Sequence, residues 1–197
     1  LDNIASGRDI TEAGSGSDDL AGAARIAPLV YRFHRDEDRL IEAVRSQTAF
    51  THNHPEVIDS AEFFARVAVK VLHGAAPVAA ITDVLADGFS REPFGEWVKD
   101  GLDSVDTDTR QAMLDFGQMC EIEPALPCVI HLVGKYENNL RQGLIENAMA
   151  GGDSAGRGLV AGMILGAHLG LEAIPQKWLT ELKAYDLIVD LMNKMGT

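Results

Sequence analysis

Residues 151–158 read Gly151-Gly152-Asp153-Ser154-Ala155-Gly156-Arg157-Gly158 and lead into an apolar run from Leu159 to Leu171, interrupted at His168. Their types and spacing could do chemistry. Paired glycines reach backbone conformations closed to other residues. Asp153 can cap the helix that follows, or present a carboxylate beside its positive end. On spacing alone the N-cap is the plainer reading. Gly158, Gly162, Gly166 and Gly170 then recur every four residues, which on a helix makes one stripe without side chains. Each glycine costs about 1 kcal/mol relative to alanine in a helix interior. The stripe therefore predicts a close helix–helix crossing.

Other groups able to do chemistry are weaker signals. His52 and His54 stand two apart before Pro55 and read as polar residues at a helix start. His131 and His168 lie in apolar helical runs and read as core histidines. His34 and His73 fall at helix ends, where a cation suits the C-terminal dipole. Glycoside hydrolysis by two carboxylates could draw on Glu121, Glu123, Glu137 and Glu146, but no spacing selects a pair. Asp36-Glu37-Asp38 and the acidic residues between Asp103 and Asp108 read as solvated loop faces. The chain contains no G-x-S-x-G, no phosphate-binding P-loop and no H-E-x-x-H, the patterns of three common hydrolase mechanisms.

The elements that must position these groups are helical. Val57, Ala61, Phe64, Ala68 and Val71 recur at steps of four and three, one face of a helix. Leu126, Ile130 and Val133 repeat the pattern, as do Leu140, Leu144 and Ala148. Trp178, Leu182, Tyr185, Ile188, Met192 and Met195 do so near the C-terminus. Pro55, Pro77, Pro93, Pro124 and Pro175 each stand at the start of such a run, where a missing N–H costs nothing. The strand-like run Val67 to Val71 is embedded in a longer helical period. The expectation is an all-α, single-domain bundle of roughly eight to ten helices. Residues 1–17, rich in Gly, Ser and Asp, read as a flexible lead-in, with the domain spanning 18–197.

Composition excludes several classes. The chain has 197 residues, 46% of them hydrophobic, and a net charge of −13. That charge disfavours a nucleic-acid partner, which needs a basic surface. The longest apolar run is shorter than the roughly 20 residues of a membrane span. Two cysteines, Cys120 and Cys128, lie outside any C-x-x-C pattern and read as reduced thiols of a cytoplasmic protein.

Gly151-Gly152-Asp153-Ser154, then Gly162, Gly166-Ala167, Ile174-Pro175 and Trp178-Leu179, together resemble the C-terminal signature of the ADP-ribosylglycohydrolase family. In that family a Gly-Gly-Asp-x-Asp-Thr loop opens a small-residue helix. Gly22-Ala23-Ala24-Arg25-Ile26-Ala27-Pro28-Leu29 resembles the family's segment lining the ADP-ribose site. Thr51-His52-Asn53-His54-Pro55 resembles its Thr-His-x-x-Pro helix start. The matches keep the family's order from about residue 14 to residue 183.

The resemblance implies an all-α hydrolase that cleaves the glycosidic bond of ADP-ribosylated substrates using two divalent cations. Carboxylate ligands suit magnesium. Carried over residue by residue, it implies ligand contacts at Gly22, Arg25, Gly151, Gly152 and Ser154, and a metal ligand at Asp153. Two departures stand beside it. The family's second Asp and its Thr fall at Ala155 and Gly156, and its N-terminal Thr-Asp-Asp has no counterpart, as if the chain began after that motif. Asp18-Asp19 is an acidic pair next to the Arg25 segment instead. Such a loop, with an Arg nearby, also resembles a divergent branch that includes the J-type lens crystallins. The alternative to a hydrolase is thus an inactive ADP-ribose-binding or structural relative.

Overall fold

The computed structural model describes residues 2–9 and 13–195. Twelve α-helices follow one another among them: α1 (Asp2–Ala5), α2 (Ala27–Phe33), α3 (Glu37–Ala49), α4 (Pro55–Leu72), α5 (Pro77–Val84), α6 (Phe94–Asp103), α7 (Thr109–Phe116), α8 (Ile122–Lys135), α9 (Leu140–Met149), α10 (Ser154–Leu169), α11 (Gln176–Glu181) and α12 (Tyr185–Met195). The fold is all-α, as the periodicity predicts. The count exceeds the expected eight to ten because helices of one or two turns, such as α1 and α11, are too short to show a period.

Two helices carry the centre. In α4 the apolar residues cover most of the circumference, and ten of its residues are buried. In α8 every residue from Ala125 to Val133 is buried. Helix α10 packs on α4, α8 and α9, so the loop at its N-terminus opens directly off the core. The rings of Phe63, Phe89 and Phe94 meet edge-on or tilted at 5.3–5.7 Å between centroids, a preferred aromatic geometry. Pro55 and Pro77 open α4 and α5 as first helical residues. Pro93 and Pro175 instead occupy N-cap positions, and Pro124 lies inside the first turn of α8.

Three expectations change. The C-terminal periodic run is broken at Leu182, whose extended ψ of 107° separates α11 from α12, and neither helix buries a residue. Gly170 leaves the glycine stripe: it is the C-cap of α10 with φ 74°. His168 is half-buried at the end of α10 rather than a core residue. The stretch expected as a flexible lead-in has its far end tied down. The Ser15 N–H donates to Thr51 O at 3.0 Å, and the Asn53 N–H donates back to Ser15 O at 2.7 Å. Gly14 is pressed so close to Ala49 that a Cβ would lie 2.1 Å from its carbonyl oxygen.

Candidate functional site

Three loops lie side by side at the N-terminus of α10. The middle one, residues 117–121, leaves α7 through Gly117, whose φ of 106° requires glycine. On one side it pairs with residues 18–20. The Leu20 N–H donates to Cys120 O and the Ile122 N–H to Asp18 O, both at 2.8 Å, and Asp19 and Glu121 form an isolated antiparallel bridge. On the other side the Asp153 N–H donates to Gln118 O at 3.1 Å, and the Gln118 side chain donates to Ala150 O. Gly151 and Gly152, at φ 73° and 63°, turn the third loop tightly enough for this contact.

Asp153 is the N-cap of α10, as spacing predicts. Its Oδ1 accepts from the Gly156 N–H at 3.2 Å. Its Oδ2 is buried and has no hydrogen-bond partner. Ser154 begins the helix, and its carbonyl accepts from Asn147 Nδ2 at 2.8 Å. The residue that sequence reading undervalued is Arg157. It is 0% exposed and, with His168, the only ionisable side chain between Ser154 and Leu169. Its Nε donates to Asn147 Oδ1 at 3.1 Å and its Nη2 to Gly151 O, while Nη1 is buried without a partner. Burial lowers its pKa, opposed by the thiol of Cys128 and the carboxylate of Asp153. A lone arginine in a helix of Gly, Ala and aliphatic residues was the available signal. Gln118 and Asn147 gave none, because their roles depend on loops that meet only in three dimensions.

The remaining expected residues are Gly22 and Arg25. Gly22 is buried in the turn Leu20–Gly22, where a Cβ would sit 2.8 Å from both His52 and Val57. The close approach of this turn to α4 thus gives Gly22 a packing role. Arg25 is exposed. Its Nε donates to Ala21 O at 3.1 Å and its Nη2 to Thr51 Oγ1 at 2.5 Å. His52, whose pKa is lowered first by burial, accepts or donates at 2.9 Å to the same hydroxyl. No hydrogen bond or ion pair joins Arg25 to Asp153. Grooves of about 480 Å³ beside Arg35 and Lys70, about 430 Å³ beside Asp59 and Arg91, and about 410 Å³ between Pro28 and Leu191 include neither.

Neither cysteine is poised as a nucleophile. A hydrogen bond to the Asp19 carboxylate holds the Cys120 thiol up at about 11, and burial pushes Cys128 to about 12. Of the candidate glutamates, Glu121 ends the middle loop with its Oε2 buried and unpartnered, and the other three lie elsewhere. Glu137 accepts from the Val78 N–H at 3.0 Å, Glu146 pairs with Arg110 at 3.2 Å, and Glu123 is exposed. His131 is the satisfied core histidine expected, bonded to Ser104 and Thr109.

A family model described as ADP-ribosylglycohydrolase matches residues 1–196, nearly the whole chain. The chain belongs to the ADP-ribosylglycohydrolase family. No curated protein matches it. Within this family fold, the donor set at the α10 N-terminus does not suit magnesium. That ion demands near-octahedral oxygen ligation. Asp153 spends one oxygen on the helix cap, Ala155 and Gly156 offer no side-chain oxygen, and a guanidinium stands one helical turn on. Among the described residues no three His, Cys, Asp or Glu side chains gather closely enough to hold a metal ion. No described helix is long and apolar enough to cross a membrane.

Proposed function

We propose that this ADP-ribosylglycohydrolase-family chain binds the ADP-ribosyl unit without the magnesium-dependent hydrolysis that the resemblance implies. The observation that carries this reading is the isolation of Asp153. Its carboxylate caps α10, and after the hydroxyl of Ser154 the residues 155, 156 and 157 supply a methyl group, a hydrogen and a cation. Glycoside hydrolysis needs two groups placed across the scissile bond, or metal ions that orient a water, and among the described residues no three His, Cys, Asp or Glu side chains gather to hold such ions. Binding needs less. The resemblance implies ligand contacts at the Arg25 segment and the Gly151–Ser154 loop. A helix N-terminus and a partly free guanidinium are both complementary to a pyrophosphate. The magnesium-dependent hydrolase is the competing reading, and a purely structural relative is the third.

Calorimetric titration with ADP-ribose, with and without magnesium, combined with release of labelled ADP-ribose from a modified acceptor, separates the three. The expected result is saturable binding that magnesium does not change, with release at the background rate. Magnesium-dependent release that vanishes in Asp153→Ala would establish the hydrolase instead. Absence of binding at millimolar ADP-ribose would leave the structural relative.

A further inference from the structure

Helix α10 carries a cation, Arg157, that reaches back to the loop between α9 and α10. We propose that the Arg157 guanidinium is the resident cation of the Gly151–Asp153 loop, holding the Gly151 carbonyl and facing Asp153, so that the folded protein neither requires nor binds magnesium there. The inference rests on family membership for the comparison with a metal, but not on ADP-ribose being the ligand.

Burying an arginine is costly unless its charge and donors are answered. Arg157 is fully buried, and its fork spans two elements. Nε reaches Asn147 on α9 and Nη2 reaches the carbonyl of Gly151 in the loop. Asn147 in turn donates to the Ser154 carbonyl, so one guanidinium and one amide tie together α9, the loop and the first turn of α10. Gly158 leaves room for this amide, since a Cβ there would lie 3.0 Å from Asn147 Nδ2. The two orphaned atoms nearby have opposite sign. Asp153 Oδ2 and Arg157 Nη1 are both buried and unpartnered; their residues stand one helical turn apart and no ion pair joins them, so the two charges act on each other only through the field. Each would be expensive alone; together, each charge lies in the other's field at low dielectric. The guanidinium stays protonated at all ordinary pH values, so this cation does not dissociate. A divalent ion brought to Asp153 would face that fixed positive charge with few oxygens to offset it.

The test uses the intact protein and no nucleotide, so its outcome is independent of ADP-ribose binding. Magnesium alone is titrated calorimetrically, and thermal melts are run in EDTA and in millimolar magnesium. The expected result is no saturable heat and a Tm unchanged by either addition. Three substitutions then separate charge from packing. Arg157→Met and Arg157→Gln should each lower Tm by roughly 10 °C, and Arg157→Lys, which keeps the charge without the fork, by about half as much. Saturable magnesium binding that is lost in Asp153→Asn would overturn the proposal. So would Arg157→Gln melting above Arg157→Lys, since hydrogen bonding rather than charge would then be what the site needs. If no variant folds, the wild-type magnesium titration still decides.

Discussion

Replacing Gly152 by alanine tests whether the Asp153 loop is as tightly built as the geometry indicates. Two effects act at once. The φ of Gly152 is 63°, and a left-handed conformation costs an L-residue about 1–2 kcal/mol. The new methyl group would also lie 2.1 Å from the Gln118 carbonyl oxygen and 2.5 Å from Gln118 Cβ, far inside van der Waals contact. The residue 117–121 loop must therefore retreat by about 1 Å or more, at an overpacking cost of about 1–3 kcal/mol. The retreat also stretches the Asp153 N–H bond to the same carbonyl, worth about 1 kcal/mol. Together these predict a loss of about 3–6 kcal/mol and a Tm lower by roughly 10 °C or more for a chain of this size. Gly151→Ala is the internal control. Its φ is similar, at 73°, but its Cβ would meet nothing nearer than Gln118 Nε2 at 3.6 Å. Only the conformational cost remains, about 1–2 kcal/mol. Thermal melts followed by circular dichroism compare the two variants directly. Equal losses would mean that Gln118 gives way freely and that the three loops do not form a rigid unit.

The glycine stripe and the core histidine give two further outcomes. A Cβ at Gly162 would rest 3.8 Å from Leu144, so Gly162→Ala should be neutral or stabilising by up to about 1 kcal/mol, whereas Gly162→Leu should overpack α9 and cost about 1–3 kcal/mol; urea unfolding showing equal losses for both would refute the packing assignment. Burial lowers the His131 pKa to about 4, against about 6.5 unfolded, so its neutral form is favoured by the fold: this contribution is intact above pH 6.5 and is lost as pH falls through 4, at up to about 1.4 kcal/mol per pH unit and about 3 kcal/mol in all. His131→Gln should remove that part of the slope, and parallel urea titrations from pH 7 to 4.5 with identical slopes in both proteins would exclude the assignment.

The helical class, the Asp153 cap and the main core faces were legible because each follows from local chemistry: periodicity, an N-cap residue, proline placement. The α4 and α8 faces are buried as their spacing requires. What could not be read is what depends on loops meeting. Nothing near Gln118 in the sequence shows that its carbonyl will receive the Asp153 amide, and Asn147 looks like any polar residue on a mixed helix. Gly22 carried a ligand expectation through resemblance, yet its absent side chain is needed for contact with His52 and Val57. The C-terminal period misled for a different reason. An apolar stripe reports that a face is suited to burial, not that another element covers it, and in α12 every apolar residue of that stripe is at least partly exposed.

The departures at Ala155 and Gly156 bear on charge at the start of α10. In the resembled pattern a second aspartate and a threonine stand there. Here Asp153 is the one carboxylate of the turn, and the Arg157 guanidinium lies fully buried four residues on. Ala155 is exposed and is the second residue of the helix. An aspartate at 155 would therefore stand in water beside the positive end of α10, where a negative charge is favoured by about 0.3–1 kcal/mol. Ala155→Asp should thus be neutral or slightly stabilising in thermal melts. It restores one oxygen but leaves the guanidinium in place, so it should gain no saturable magnesium heat. Magnesium binding by this single variant would show that the missing oxygen, and not the buried cation, keeps the ion out.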